Sequence, residues 1–108
     1  MSEHDDLISM ETLREVAPML RAISHPVRLR IIDLLRDGQE ATVSEISKSA
    51  GLGQAQTSQQ LAVLKGHEVL ECRREGQHVF YHLRQPYVCQ VLQCIRNRPG
   101  CGTIEREQ

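Results

Sequence analysis

The chain has no tryptophan, two tyrosines and one phenylalanine in 108 residues, so aromatic side chains make up only 3% of it. That scarcity argues against a protein that grips single-stranded nucleic acid by stacking bases on aromatic platforms. Charge of one sign is also missing: the formal net charge is −1 with histidine neutral. A general polycationic coat for nucleic acid is thereby disfavoured. A sequence reader is not, because for a reader the placement of charge matters more than its sum. No apolar run approaches the roughly 18 residues of a membrane-spanning helix, so no membrane partner is expected. The first ten residues, MSEHDDLISM, are acidic and lack the basic-then-apolar pattern of a secretory signal, which predicts a cytoplasmic protein. In that compartment four cysteines are expected as thiols or metal ligands rather than as structural disulfides. No glycine-rich phosphate loop, paired acids or His-Cys-Asp set occurs at a catalytic spacing, so no enzyme is expected. Internal repeats and low-complexity segments are absent.

The remainder is ordinary for a soluble globular protein, with 40% hydrophobic and 25% charged residues. The length suits one domain, small enough that pairing with a second copy would help to bury apolar surface. Residues 1–8 are expected as a flexible arm, 9–98 as the folded domain and 99–108 as a tail. Acidity is concentrated at the start, where Glu3, Asp5, Asp6, Glu11 and Glu15 face Arg14 alone. The next stretch reverses the balance, with Arg21, Arg28, Arg30 and Arg36 against Asp33.

Hydrophobic spacing predicts a series of helices. Leu13, Val16, Leu20 and Ile23 recur at three- and four-residue steps over Met10–Ser24, with Pro18 expected to kink that helix or start a second segment. His25-Pro26 breaks the chain and suits the first turn of a helix that buries Val27, Ile31, Leu34 and Leu35 and stops at Asp37-Gly38. Thr42 followed three residues later by Glu45 is a capping box. It opens a short helix burying Val43, Ile46 and Ala50. A Gly51-Leu52-Gly53 turn separates this from a longer helix, Gln54 to about Lys65, expected to bury Ala55, Leu61 and Leu64. Strands follow over Val69–Arg74 and His78–Leu83, joined by Glu75-Gly76-Gln77. A last helix from Tyr87 to about Arg98 is expected to bury Val88, Val91, Leu92 and Ile95, and Pro99-Gly100 ends it.

Short helix, glycine turn, longer helix and hairpin spell a mainly α fold with a small β wing: a winged helix-turn-helix of order α-α-α-α-β-β-α, expected to be dimeric. In such a motif the second helix enters the major groove of double-stranded DNA. Its polar residues here include Gln54, Gln56, Thr57, Ser58 and Gln59, and no charged side chain falls between Gly51 and Leu64. Glutamine can pair with adenine through two hydrogen bonds, while serine and threonine reach bases or phosphates. Base reading by neutral amides leaves phosphate contacts to Lys48, Lys65, Arg73 and Arg74, with Gln77 at the hairpin tip placed to reach the minor groove. A polar run alone would equally describe a solvated helix face. The glycine turn before it and the basic hairpin after it favour the DNA reading. A winged helix that binds only protein is the alternative from another class, and a mobility shift with the protein's own promoter separates the two.

The stretches LRAISHPVRLRIIDLL, SEISKSAGLGQAQTSQQLAVLK and RREGQHVFYHL resemble the ArsR/SmtB family of repressors over residues 19–92. The resemblance implies a homodimer packed through its first and last helices, a two-fold operator, and an inducer that weakens DNA binding. It also marks two departures. The CxC-type ligand motif of many arsenic and cadmium sensors is replaced by Thr42-Val43-Ser44. The Asp, His and Glu set that zinc sensors carry on the last helix is replaced by Gln85, Pro86 and Tyr87, with no histidine after them.

What remains for sensing is a late group of thiols, Cys89, Cys94 and Cys101. Thiolates suit soft ions such as Cd(II) and Zn(II), and by family analogy As(III). Cys89 and Cys94 stand roughly 140° apart around a regular helix and about 7.5 Å along it, so they do not chelate one ion there. A tail folded back to bring Cys101, or a sulfur from a partner, would be required. Two other readings stay open: oxidation to a disulfide or polysulfide link, and plain packing, since cysteine is among the most commonly buried residues. The family's persulfide sensors pair a cysteine on the second helix with one on the last, and the second helix here has none.

Overall fold

In the computed structural model, residues 6–104 are described, and most of the N-terminal arm and the end of the tail (105–108) lie outside them. The elements run α1 (Met10–Ile23), α2 (Pro26–Leu34), α3 (Val43–Ala50), α4 (Gln54–Gly66), β1 (Leu70–Glu75), β2 (His78–Leu83) and α5 (Val88–Arg96). Local chemistry sets most of these boundaries. The Ser9 hydroxyl accepts from the Thr12 amide and opens α1. His25 Nδ1 accepts from the Val27 amide at 3.1 Å, and Pro26 occupies the first turn of α2. The Thr42–Glu45 capping box closes in both directions, at 3.2 and 2.9 Å. Gly51 takes the left-handed φ of 71° that turns the chain out of α3.

The core is a single cluster around Ile31, Ile32, Leu35, Ile46, Leu61, Leu64, Val69, Leu70 and Val88, closed on one side by Met19 and Ile23. Four expectations are corrected here. Helix α1 runs through Pro18 without interruption. Helix α2 ends at Leu34, and the turn after it uses left-handed backbone at both Asp37 and Gly38. Ala55 is exposed, because the buried stripe of α4 falls at Thr57, Leu61 and Leu64. Along α5 only Val88 and Leu92 are buried, while Val91 and Ile95 are left open.

The wing is an antiparallel pair in register Cys72↔Tyr81 and Arg74↔Val79, turned by Gly76 at φ 62°. Ala41 adds a one-residue third strand: its amide donates to the Tyr81 carbonyl at 3.1 Å, and the Tyr81 amide returns at 2.8 Å. The base of the wing is thus tied to the loop before α3. The Val69 amide donates to the Leu64 carbonyl, and the Arg84 amide to the Val69 carbonyl, both at 2.9 Å, which joins the wing to the end of α4.

Candidate nucleic-acid interface

The turn between α3 and α4 is closed by one buried serine. Ser47 is 6% exposed; its hydroxyl donates to the Leu52 carbonyl, and its own carbonyl accepts from the Leu52 amide at 3.0 Å. Gln54 Nε2 donates to Ser44 Oγ at 2.8 Å, pinning the start of α4 to α3 from the solvent side. A third tie reaches α4 from behind. The Arg28 guanidinium donates through Nε to Gln60 Oε1 at 2.8 Å and through a terminal nitrogen to the Ala22 carbonyl at 3.1 Å. One arginine on α2 thereby links the end of α1 to the middle of α4. None of these three ties was legible from local spacing, since each joins residues on different elements or across a turn.

Gln54, Gln56, Ser58 and Gln59 stand exposed on α4. Thr57 does not join them. It is fully buried, and its hydroxyl donates to the Gly53 carbonyl at 2.9 Å, satisfying a polar group that would otherwise be stranded in the core. Its methyl faces the same side as Leu61 and Leu64, so its side chain cannot reach a groove.

The basic residues divide in the same way. Lys48, in the last turn of α3, Lys65, in the last turn of α4, and Arg74, on β1, are exposed, and none has a carboxylate partner among the described residues. Gln77 is exposed in the wing turn. Arg73 is engaged within the protein instead. It pairs with Glu40 at 2.8 Å and Glu75 at 2.7 Å and lies 4.8 Å over the Phe80 ring. The hydrogen bond from Arg73 holds the Glu40 carboxyl below its ordinary range, and the bond from Glu40 raises Arg73 in turn. A guanidinium paired on two sides by carboxylates braces the wing in the isolated chain. His82 completes this set, 3.0 Å from Glu71 and 3.4 Å from Glu40.

The late cysteines are separated. Cys89 is half-buried in a small pocket beside His82 and Glu40, Cys94 is exposed on α5, and Cys101 is half-buried in a different cleft under the tail. Among the described residues of one chain no three histidine, cysteine or acidic side chains are gathered to hold a metal ion. A soft-ion site built from Cys89, Cys94 and Cys101 within one protomer is therefore not preformed.

A tripod of three helices around a core, a helix presenting neutral amides, and a hairpin braced at its side define a winged helix-turn-helix domain. A helix-turn-helix domain family matches residues 23–73. The chain is 38% identical over 81 residues to the biofilm growth-associated repressor of Xylella fastidiosa, spanning 75% of this chain and 70% of that protein. The solved structure of the transcriptional repressor BigR from Xylella fastidiosa superposes with a TM-score of 0.76 at 34% identity, covering 95% of this chain and all of that one. The homodimeric winged helix-turn-helix DNA-binding domain from Mycobacterium bovis, described as a possible ArsR-family regulator, superposes with a TM-score of 0.69 at 28% identity, over 89% and 84% of the two chains. The chain belongs to the ArsR family of winged helix-turn-helix transcriptional regulators. Among the described residues no helix is long and apolar enough to cross a membrane.

Proposed function

We propose that two copies of this chain pair through α1 and α5, place both α4 helices in successive major grooves of a palindromic operator, and repress transcription. The observation that carries this reading is the exposed amide and hydroxyl face of Gln54, Gln56, Ser58 and Gln59, on a helix held by hydrogen bonds from both α2 and α3. Rigid support behind a base-reading face keeps its side chains in register with base edges. Lys48, Lys65 and Arg74 supply the phosphate contacts, with Gln77 at the wing tip reaching the minor groove. The pairing surface is apolar: Leu13 and Leu20 on α1, and Tyr87, Val91 and Ile95 at and along α5, are between 39% and 48% exposed except Val91 at 37%. Two-fold pairing predicts half-sites one or two DNA turns apart. Fluorescence anisotropy with the protein's own promoter fragment tests the reading. Tight binding that falls steeply when either half-site is scrambled supports it; a chain that stays monomeric and ignores every promoter fragment removes it.

Release from the operator is proposed to run through the late thiols across the dimer. Cys94 follows Val91 by one helical turn and adjoins Ile95, so it borders the apolar strip of α5. If that strip meets its symmetry mate, sulfurs from two chains approach one another, which one chain alone does not achieve. Titration of reduced protein with arsenite, Cd(II) and Zn(II), followed by thiolate charge-transfer absorption and operator anisotropy, measures this. Peroxide and polysulfide treatment with intact-mass readout measures the oxidative form. Operator affinity unmoved by all five reagents would leave the cysteines as packing residues.

A further inference from the structure

Outside the DNA-reading face a cleft of about 800 Å³ opens between α2, α5 and the tail, with no residue of α4 or the wing in its lining. Among the described residues, Arg30, Arg36 and Arg96 line it with one carboxylate, that of Asp33. Asp33 is shared. It holds Arg96 of α5 at 2.5 Å and Arg36, just past the end of α2, at 3.5 Å; Arg36 also meets Asp37 at 3.7 Å, while Arg30 has no carboxylate partner among the described residues. Leu29, Leu34 and Ile104 give it an apolar wall, and Ser49 and Thr103 add hydroxyl groups.

We infer that this cleft is an effector site for a small amphipathic carboxylate, its head on the guanidinium groups of Arg30 and Arg96 and its hydrocarbon body against Leu29, Leu34 and Ile104. Guanidinium forks match carboxylate oxygens in pairs, and Arg30, with no carboxylate partner among the described residues, leaves donors for a ligand. The volume is that of an ordinary small-molecule site. An apolar wall beside guanidinium groups suits an acid with a hydrocarbon body. An entering carboxylate competes with Asp33 for Arg96, which ties α2 to α5. The same α2 holds Gln60 of the reading helix through Arg28, so a change at the cleft has a short path to the DNA face. This effector role rests on the operator-binding reading; binding of the ligand itself does not.

Two measurements separate these. Calorimetry on reduced protein without DNA uses octanoate as probe, with acetate and octylamine as controls. Saturable binding of one octanoate per chain is expected, at least tenfold tighter than acetate, with no binding of octylamine. Arg30→Gln, a change at an exposed residue, is expected to weaken octanoate at least fivefold. Asp33→Asn, which removes the internal competitor, is expected to tighten it. Absence of saturable binding, equal binding of octylamine, or indifference to both substitutions overturns the site. Anisotropy with promoter DNA is then read without and with saturating octanoate. A rise of at least threefold in the operator dissociation constant, lost in Arg30→Gln, supports the effector role, and an unchanged constant overturns it. A protein that binds no operator in the ligand-free arm shows that the DNA reading has failed, independently of the calorimetry.

Discussion

The face built from α3, α4 and the wing is tied by several hydrogen-bonded sets within one chain, whereas the face built from α1 and α5 leaves Leu13, Leu20, Val91 and Ile95 between 37% and 43% exposed. The capping box, the Ser47–Leu52 closure and the Arg73 brace need nothing from outside. On the second, four large apolar side chains meet water in the isolated chain, each with roughly 1 kcal/mol to recover on burial. Isolated exposed leucines are common on protein surfaces, but four such side chains on α1 and α5 together fit a pairing surface. The contrast sharpens the proposed division of labour: one chain carries the DNA-facing side, and pairing covers the apolar side.

The largest expected effect breaks that contrast at its apolar end. Replacing both Val91 and Ile95 by aspartate puts four charges into the proposed interface of a pair, and unpaired charge there is costly to bury. Sedimentation should then show a monomer, and operator affinity should fall at least 100-fold because each α4 binds only one half-site. Neither residue contributes to the core, so far-ultraviolet circular dichroism should stay that of the wild type. A variant that sediments and binds like the wild type would take the interface elsewhere.

Within the chain, the phase of α4 can be sharpened by two substitutions of opposite consequence. Leu61 is fully buried, and truncating it to alanine should cost about 2–5 kcal/mol of stability in urea titration. Gln56 is exposed, and its change to alanine should leave stability within about 0.5 kcal/mol. Its cost should fall on operator affinity instead, at about 1–3 kcal/mol if the amide pairs with an adenine. Equal operator affinity for Gln56→Ala and wild type over all base substitutions in the half-site would remove Gln56 from the reading set.

How far the molecule was legible before its structure depends on whether the deciding partner is near in sequence. Thr42 with Glu45, His25 with Pro26, and Gly51 act over three residues or fewer, and each does what its local chemistry predicts. Thr57 was misplaced because polarity suggested solvent, whereas a threonine in a helix can spend its hydroxyl on the carbonyl four residues back and bury its methyl. The Arg73–Glu40 pair is invisible to local spacing because Glu40 lies 33 residues away in a loop with no pattern of its own. Val91 and Ile95 were assigned to the core because helical periodicity reports an apolar face without saying whether that face meets the same chain or another. The separation of Cys89 from Cys101 into different pockets depends on the path of the tail, which spacing along the chain does not specify.

Two carboxyls of the α3, α4 and wing face, Glu40 and Glu45, add an acid sensitivity, and this gives the smallest expected effect. Glu45 is held below its ordinary value of 4.5, mainly by the bond from the Thr42 amide, and Glu40 likewise, mainly by the bond from Arg73. A carboxyl whose folded value lies below its unfolded one binds its proton more readily when the chain is unfolded. The stability each contributes is therefore full above about pH 4.5 and is lost as pH falls through the lower folded value. The urea midpoint should decline on acidification through that window. Glutamine at position 45 can still accept the Thr42 amide proton but does not titrate. Glu45→Gln should thus be nearly silent at pH 7 and should flatten the acid limb, whereas Glu40→Gln should lower the midpoint at pH 7 as well, because Arg73 loses a charged partner. Acid limbs that run parallel to the wild type in both variants would move the titrating groups off this face.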